Sequence, residues 1–307
     1  VIVTRATRLD ELVARFNTRD QARFYIERMG GSFGPYQEEH DAYQAATKAL
    51  RAMLPPELRV HWLDRSFLPT YTFGDDDVVI ALGPDGLVVN TAKYLDEQLL
   101  IAVNPAPRQI DGVLLPFRVA TARNGIVRAL SGKRVWADVT MARADLNDGQ
   151  SLLALNDFFI GARSHVSARY RLKHGQGSEE QSSSGIIVST GAGSTGWFRS
   201  ILAGAAGVAE GFARVKHLDR LREGYRFDWE SRELKYCVRE PFASKTSDAS
   251  LVFGRIDEVT PLVVESRMPQ NGVIFSDGVE EDFLEFNSGA VATIRPAART
   301  LRLVLPG

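Results

Sequence analysis

The sequence predicts two domains of different character: a doubly wound α/β domain followed by a largely antiparallel, sandwich-like β domain. Three observations lead there. The nearly continuous apolar run DVVIAL at 77–82 enters a glycine turn, GPDG, as a parallel strand covered on both faces does. Around it, strand and helix patterns alternate, the signature of an α/β layer. After about Arg118 the character changes to short alternating stretches separated by Gly, Ser and Asp turns, as in antiparallel sheets. The expected division is 1–118 for the α/β domain, 119–296 for the β domain, and a C-terminal strand in 297–307 that packs back on the first domain.

In chain order, Val1 to Val3 is a β-branched run that reads as the end of a buried strand. Thr18 and Gln21 read as a capping box opening a helix that Gly30 and Gly31 end. The alternating charges of 19–28 mark an exposed helix face. Residues 38–54 are Ala-rich and periodic, and the helix they predict stops at Pro55 and Pro56. A strand is expected at 58–63, a helix from about 87 to 95 and a strand at 99–103. Further strands are expected at 133–141, 167–172, 185–189, 262–266, 272–276 and 291–296, with a last short one at 301–305. The most polar stretch, 173–185, reads as a hairpin loop.

A length of 307 residues suits two domains, and 44% hydrophobic with 24% charged residues supports a core without disulfide or metal staples. The formal net charge of −1 points to neither a nucleic-acid nor an anionic-membrane partner. A single cysteine, Cys237, excludes an internal disulfide framework and a four-cysteine zinc site. It fits a reducing compartment, and a cytoplasmic location is expected. No run approaches the roughly 18 apolar residues of a membrane span. The sequence opens at Val1 without a methionine, which leaves room for a targeting segment upstream.

The first chemical segment is the GPDG turn. Glycine lets a ligand approach the backbone, and a following helix offers free N–H groups and the positive end of its dipole. Asp85 stands at the carboxyl end of the strand, where open α/β sheets bind ligands. Its carboxylate can orient a hydroxyl, take its proton or help hold Mg²⁺; on local pattern alone, a plain helix cap with Gly86 is the stronger reading. The second segment pairs Asn156 and Asp157 before an apolar run, which alone reads as a turn. The third, GIIVSTGAGSTGW at 185–197, offers hydroxyls, accessible backbone and an aromatic, Trp197, able to stack on a base or to sit in the core. Thr4, Arg5, Thr7 and Arg8 follow the first strand and suit either a phosphate-binding loop or a solvated helix start. His165 has no implied metal partner and is assigned no role.

Together these segments resemble the NAD kinase family. DDVVIALGPDGLVVNTAKYL is similar to the family's strand, GGDGT and helix; ALND to its ALNE; SGIIVSTGAGSTGW to its DGLIVSTPTGSTAY; and SDGV at 276–279 to its S-x-D-G-Q segment, where Asp277 and Gly278 read as a hairpin turn. The stretches VTRATRLDE, AVNPAPRQIDGVLLPF and ALNDFFIGARSHVSARYRL look like the mitochondrial-type branch. The sequence departs from the pattern at Pro84, Leu87, Asp157, Ser184, Gly196 and Trp197.

The resemblance implies a Rossmann-like first domain, a site in the cleft between the domains, and a homodimer or higher oligomer. It implies ATP as phosphate donor, Mg²⁺ or another divalent metal, and NAD or a related hydroxyl compound as acceptor. Asp85 would be catalytic. Gly83, Gly86, Asn90, Asn156, Asp157, Ser184, Thr195, Gly196, Trp197 and Ser200 would bind substrate or nucleotide, and Thr4, Arg5 and Arg8 would form a donor-phosphate loop. Arg239, Lys245 and Arg255 lie in a polar, non-periodic segment that suits a site loop. The leading expectation is phosphorylation of the 2′-hydroxyl of the adenosine ribose of NAD. The wider superfamily of lipid and sphingoid kinases leaves a nucleoside, sugar or lipid acceptor open, and the departures leave a nucleotide-binding regulator open.

Overall fold

The computed structural model describes residues 1–306, with Glu280 and Glu281 described by their backbone alone; Gly307, the end of the expected C-terminal strand, lies outside the described residues. The chain forms two compact units: Val1–Ala137 together with the residues from Arg302 onward, and Asp138–Leu301.

The first unit contains β1 (Ile2–Thr4), α1 (Arg8–Phe16), α2 (Arg19–Arg28), α3 (Gly34–Met53), β2 (Trp62–Asp64), β3 (Val78–Leu82), α4 (Asp85–Ala92), β4 (Leu99–Asn104), β5 (Phe117–Arg118) and α5 (Ala122–Ala129). Its strands are all parallel: β1 pairs with β2 and β3, β3 with β4, and β4 with β5 and with Arg302–Leu303. On one face Ile80, Leu82, Ile101 and Val103 pack with Leu50 of α3 and Ala122 and Ile126 of α5. Val79 and Ala81 point the other way by strand alternation and are also fully buried. Double-sided burial is why DVVIAL reads as an unbroken apolar run.

The second unit contains β6 (Trp136–Leu146), β7 (Ser151–Ala154), β8 (Asp157–Ala162), β9 (Ala168–His174), β10 (Gly177–Ser183), β11 (Ile186–Ser189), α6 (Trp197–Ala213), α7 (Asp219–Glu223), β12 (Leu234–Val238), β13 (Phe253–Ile256), β14 (Leu262–Ser266), β15 (Gly272–Ser276), β16 (Val279–Glu285) and β17 (Val291–Val304). One sheet has the order β13-β12-β11-β8-β15-β16, antiparallel throughout. The other runs β10-β9-β14-β17, with β6 on β17 and β7 on β6. Phe158, Ile160, Val188, Tyr236 and Ile274 of the first sheet share one core with Tyr170, Leu172, Val264 and Ile294 of the second. The unit is a β sandwich.

Several boundaries differ from the sequence reading. The units divide at Ala137/Asp138 rather than after Arg118, because Phe117 and α5 belong to the α/β core; a Cβ on Gly125 would lie 3.0 Å from Ile101 and 3.1 Å from Phe117. The expected strand at 58–63 shortens to β2. The polar stretch 173–185 is mostly β10, an edge strand whose outer carbonyls at Glu180 and Ser182 accept from the N–H groups of Asp248 and Phe242. The stretches 291–296 and 301–305 are parts of one strand, β17. Pro296 falls between its ladder to β14, which ends at Ile294, and its ladder to β4, which starts at Arg302, so its missing N–H breaks neither. The largest difference is α6, a 17-residue helix in what read as a β domain.

Candidate functional site

The GPDG turn joins β3 to the start of α4. Asp85 is the first residue of α4, directly after β3, and Pro84 at the N-cap supplies no side-chain cap. Among the described residues nothing accepts from the N–H groups of Asp85 and Gly86, which remain available to an anion. Gly86 is exposed, with open space where a Cβ would be. Gly83 is different. Its N–H donates to Val103 O at 3.2 Å, and a Cβ there would lie 2.7 Å from the side chain of Leu87. Gly83 therefore makes room for Leu87, which is 1% exposed, and its N–H is not free for phosphate. Asn90 is half-buried on α4.

One oxygen of Asp85 is held: the Leu114 N–H donates to Oδ1 at 2.6 Å. The segment that delivers this N–H is itself organised by Asn104 at the end of β4. Its Nδ2 donates to Ile110 O at 3.0 Å and its Oδ1 accepts from the Ala106 N–H at 3.0 Å. Gly112, at φ +67, passes so close that a Cβ would lie 2.6 Å from Asn104 Nδ2. A polar residue closing an apolar strand, LLIAVN, is the one sequence signal for this support.

The Thr4–Arg8 segment is a helix start and a charge cluster at once. Thr7 caps α1 in a capping box with Asp10. Thr4 Oγ1 donates to Leu63 O at 3.3 Å. The Tyr43 hydroxyl accepts from the Arg5 N–H and donates to Leu82 O, tying this loop to the end of β3. Arg5 and Arg8 both pair with Glu39 of α3. Burial alone would raise the Glu39 pKa, but hydrogen bonds from Arg5 and Arg8 outweigh it and hold the carboxyl below its usual range. Asp10, which accepts from Thr7 and lies 3.4 Å from His40, adds a second anion beside these two cations. Glu39 lies 34 residues from Arg5 and was not legible from sequence.

In the β unit the central feature is the turn at Leu155–Asp157. Asp277 Oδ2 accepts from the Leu155 N–H at 3.1 Å, and its Oδ1 from those of Asn156 at 2.7 Å and Asp157 at 3.3 Å. The hairpin turn read at Asp277 and Gly278 is present, with φ values of 58° and 70°, but the Asp277 side chain does more than turn the chain. The Asn156 Oδ1 is buried without a hydrogen-bond partner among the described residues. Asp157 is buried, and burial, with the Asp277 charge adding to it, pushes its pKa up to about 7.

Because that folded-state pKa lies above the ordinary 3.8, the protonated carboxyl contributes stability below 3.8 that is lost as pH rises through about 7. Asp157→Asn stays neutral at every pH. It should flatten stability between these limits and make the variant the more stable protein above them, by at most about 4 kcal/mol. Urea unfolding midpoints across the pH range measure this; parallel curves for the two proteins would contradict it.

The loop after β11 clamps that turn rather than presenting its hydroxyls. The Thr190 N–H donates to Asn156 O at 2.9 Å and Thr190 Oγ1 to Leu155 O at 2.5 Å. Ser194 Oγ donates to Gly191 O and Ser189 Oγ to Thr190 O. A Cβ on Gly193 would lie 2.1 Å from Asn156 O, and one on Gly191 2.2 Å from Asp228 O, so both glycines serve backbone-to-backbone contact. Ser189, Thr190 and Ser194 are thus turned inward, contrary to the sequence reading of free hydroxyls. Thr195 is half-buried, and Gly196, Trp197 and Ser200 are exposed at the start of α6. Ser200 Oγ donates back to Gly196 O at 3.3 Å. Ser184 is also exposed, and its N–H donates to Arg239 O.

Trp197 is neither a core residue nor a bare platform. Its ring stacks on Phe159 at 5.7 Å and 7°, and the Arg239 guanidinium lies 5.2 Å from its centroid. Phe275 and Phe283 extend the row, and the Arg163 guanidinium lies over Phe283 at 4.1 Å. Of the other candidate cations, Arg255 pairs with Glu233 at 3.6 Å and Lys245 is exposed. Burial pushes the Cys237 thiol up to about 11, so it is no nucleophile at neutral pH. The described residues hold no group of three or more His, Cys, Asp or Glu able to bind a metal, and no helix long and apolar enough to cross a membrane.

A parallel α/β unit followed by an antiparallel β sandwich is the two-domain fold of the NAD kinases. Among solved structures the chain is similar to yeast NADH kinase complexed with NADH, with a TM-score of 0.62 and 12% identity over 100% of this chain and 83% of that one. The likeness is one of fold. In sequence, no family model and no curated protein matches.

Proposed function

We propose that the protein is an ATP-dependent phosphotransferase of NAD kinase type, acting on the 2′-hydroxyl of the adenosine ribose of NAD or NADH. The observation that carries this is Asp85: a carboxylate in the first turn of an uncapped helix, at the carboxyl end of a parallel strand, with one oxygen fixed by Leu114. Its other oxygen would accept the hydroxyl proton as the acceptor oxygen bonds to the terminal phosphorus of ATP, the bond to the β-phosphate oxygen breaks and ADP leaves. The N–H groups of Asp85 and Gly86 would steady phosphate oxygens, and the guanidinium groups of Arg5 and Arg8 would offer further N–H donors to the phosphate chain. A magnesium ion carried by the donor would be held mainly by the donor's own phosphates and water, and would neutralise phosphate charge. In the β unit, the unpartnered Asn156 Oδ1 and the Asp157 carboxyl suit sugar hydroxyls, which donate to such acceptors.

A second reading, with another hydroxyl acceptor or with no transfer at all, draws on Leu87, which sits in the core and offers no hydroxyl to the nucleotide. γ-labelled ATP with magnesium and a panel of NAD, NADH, nucleosides, sugars and lipids separates these. Label on NAD or NADH is the expected result. Label on another acceptor corrects the substrate, and tight nucleotide binding with no transfer makes the protein a regulator.

A further inference from the structure

We infer that the α/β unit carries a second phosphate-binding groove, on the outer side of α5, that takes the phosphate chain of a nucleotide or of an inorganic polyphosphate. A cavity of about 860 Å³ opens there, lined by Phe117, Arg118, Thr121, Arg123, Asn124 and Arg128 among others. Its size is that of a small-molecule site, roughly 300–1,000 Å³. It is distinct from the Asp85 turn, none of whose residues line it.

The electrostatics single it out. The protein as a whole is nearly neutral, yet no Asp or Glu occurs between Asp111 and Asp138, while Arg118, Arg123, Arg128, Lys133 and Arg134 do. Two other arginine clusters are balanced: Arg5 and Arg8 by Glu39, and Arg171 and Arg267 by Glu180 and Glu265. Arg118, Arg123 and Arg128 form no ion pair among the described residues. The Nε of Arg128 is buried and has no acceptor. Three like charges around one concavity repel each other, and a multiply charged anion reverses that sign. The neutral Asn124 amide adds a donor, and the buried Phe117 ring forms part of the wall. Guanidinium groups are the side chains best shaped for phosphate oxygens.

The test uses the whole chain and two probes, tripolyphosphate and ATP, titrated by calorimetry at low salt without magnesium. The wild-type protein should bind tripolyphosphate at this groove, separately from any bound at the Asp85 turn. The variant R118Q/R123Q/R128Q should lose it, with affinity falling about tenfold or more, and an unchanged unfolding midpoint shows that the fold is intact. If the triple variant misfolds, protection of Arg118, Arg123 and Arg128 from phenylglyoxal by tripolyphosphate in the wild type gives the same answer. An equal loss of affinity for the two probes in the triple variant assigns the groove to the phosphate chain alone, as in polyphosphate; a larger loss for ATP assigns it to a nucleotide. Wild-type affinity retained in the triple variant overturns the proposal, as does a wild-type protein that binds RNA or phosphatidylserine vesicles through these arginines and ignores tripolyphosphate.

Discussion

Asp85→Asn should lower phosphotransfer by about 10²–10⁴-fold, the usual worth of a positioned general base, while nucleotide affinity changes only a few-fold. The split follows from the two oxygens of Asp85. Oδ1 is a structural acceptor for the Leu114 N–H, and an asparagine Oδ1 can take over that role, so the turn and the start of α4 persist. What asparagine lacks is a second oxygen able to accept a proton. Asp85→Ala loses both, and should in addition loosen the 105–116 segment that Asn104 organises. Turnover and dissociation constants measured side by side for the wild type and the two variants separate chemistry from architecture. An Asp85→Asn protein that keeps wild-type turnover would falsify the catalytic assignment.

The second large effect is on stability. Asp277→Ala removes one side chain and leaves three N–H groups, those of Leu155, Asn156 and Asp157, without their acceptor. Each such loss costs about 1–3 kcal/mol when water cannot reach the donor. Alanine at a φ of 58° adds backbone strain of its own. A loss of about 3–5 kcal/mol is expected, visible as a lowered urea midpoint. The same substitution removes the negative charge that adds to the burial of Asp157, so the Asp157 pKa should fall. A variant that is destabilised while its stability-against-pH curve keeps the wild-type midpoint would mean that the two carboxyl groups are not coupled.

What the sequence made legible, and what it hid, divides along the range of the interactions. β3 and its turn were readable because burial on both faces writes itself as contiguous apolar letters. Of the antiparallel strands, β6, β9, β11, β14, β15 and β17 were readable by alternation, down to the bounds of β14 and β15, whereas β7, β8, β12, β13 and β16 were not read. Helix α6 was hidden because Gly204, Gly207 and Gly211 weaken its propensity and its apolar letters run nearly all round, so no polar face sets off the Phe198, Ile201 and Leu202 stripe. Strand β10 was hidden because an edge strand is polar. At the candidate site the residue types were legible and their partners were not. Asp277 read as a turn former from its backbone alone, and Glu39 gave no sign that it neutralises Arg5 and Arg8. Both act across long separations in sequence, where local pattern carries no signal. The hydroxyls of the Ser/Thr-rich loop misled for a related reason: the same letters serve a ligand or a neighbouring backbone.

The separation between Asp277 and the turn it holds has a consequence for how the molecule is made. Between 120 and 122 residues lie between that carboxylate and the N–H groups it accepts from. At roughly 5–20 residues per second of synthesis, the Leu155–Asp157 turn leaves the ribosome some 6–24 s, in round numbers, before its anchor does. During that interval Thr190 arrives and clamps one side, but the other side stays open. The turn that presents Asn156 and Asp157 is therefore among the last parts of the β unit to be completed. Any fragment that ends before Asp277 lacks the group that closes it, however much of the sandwich it retains.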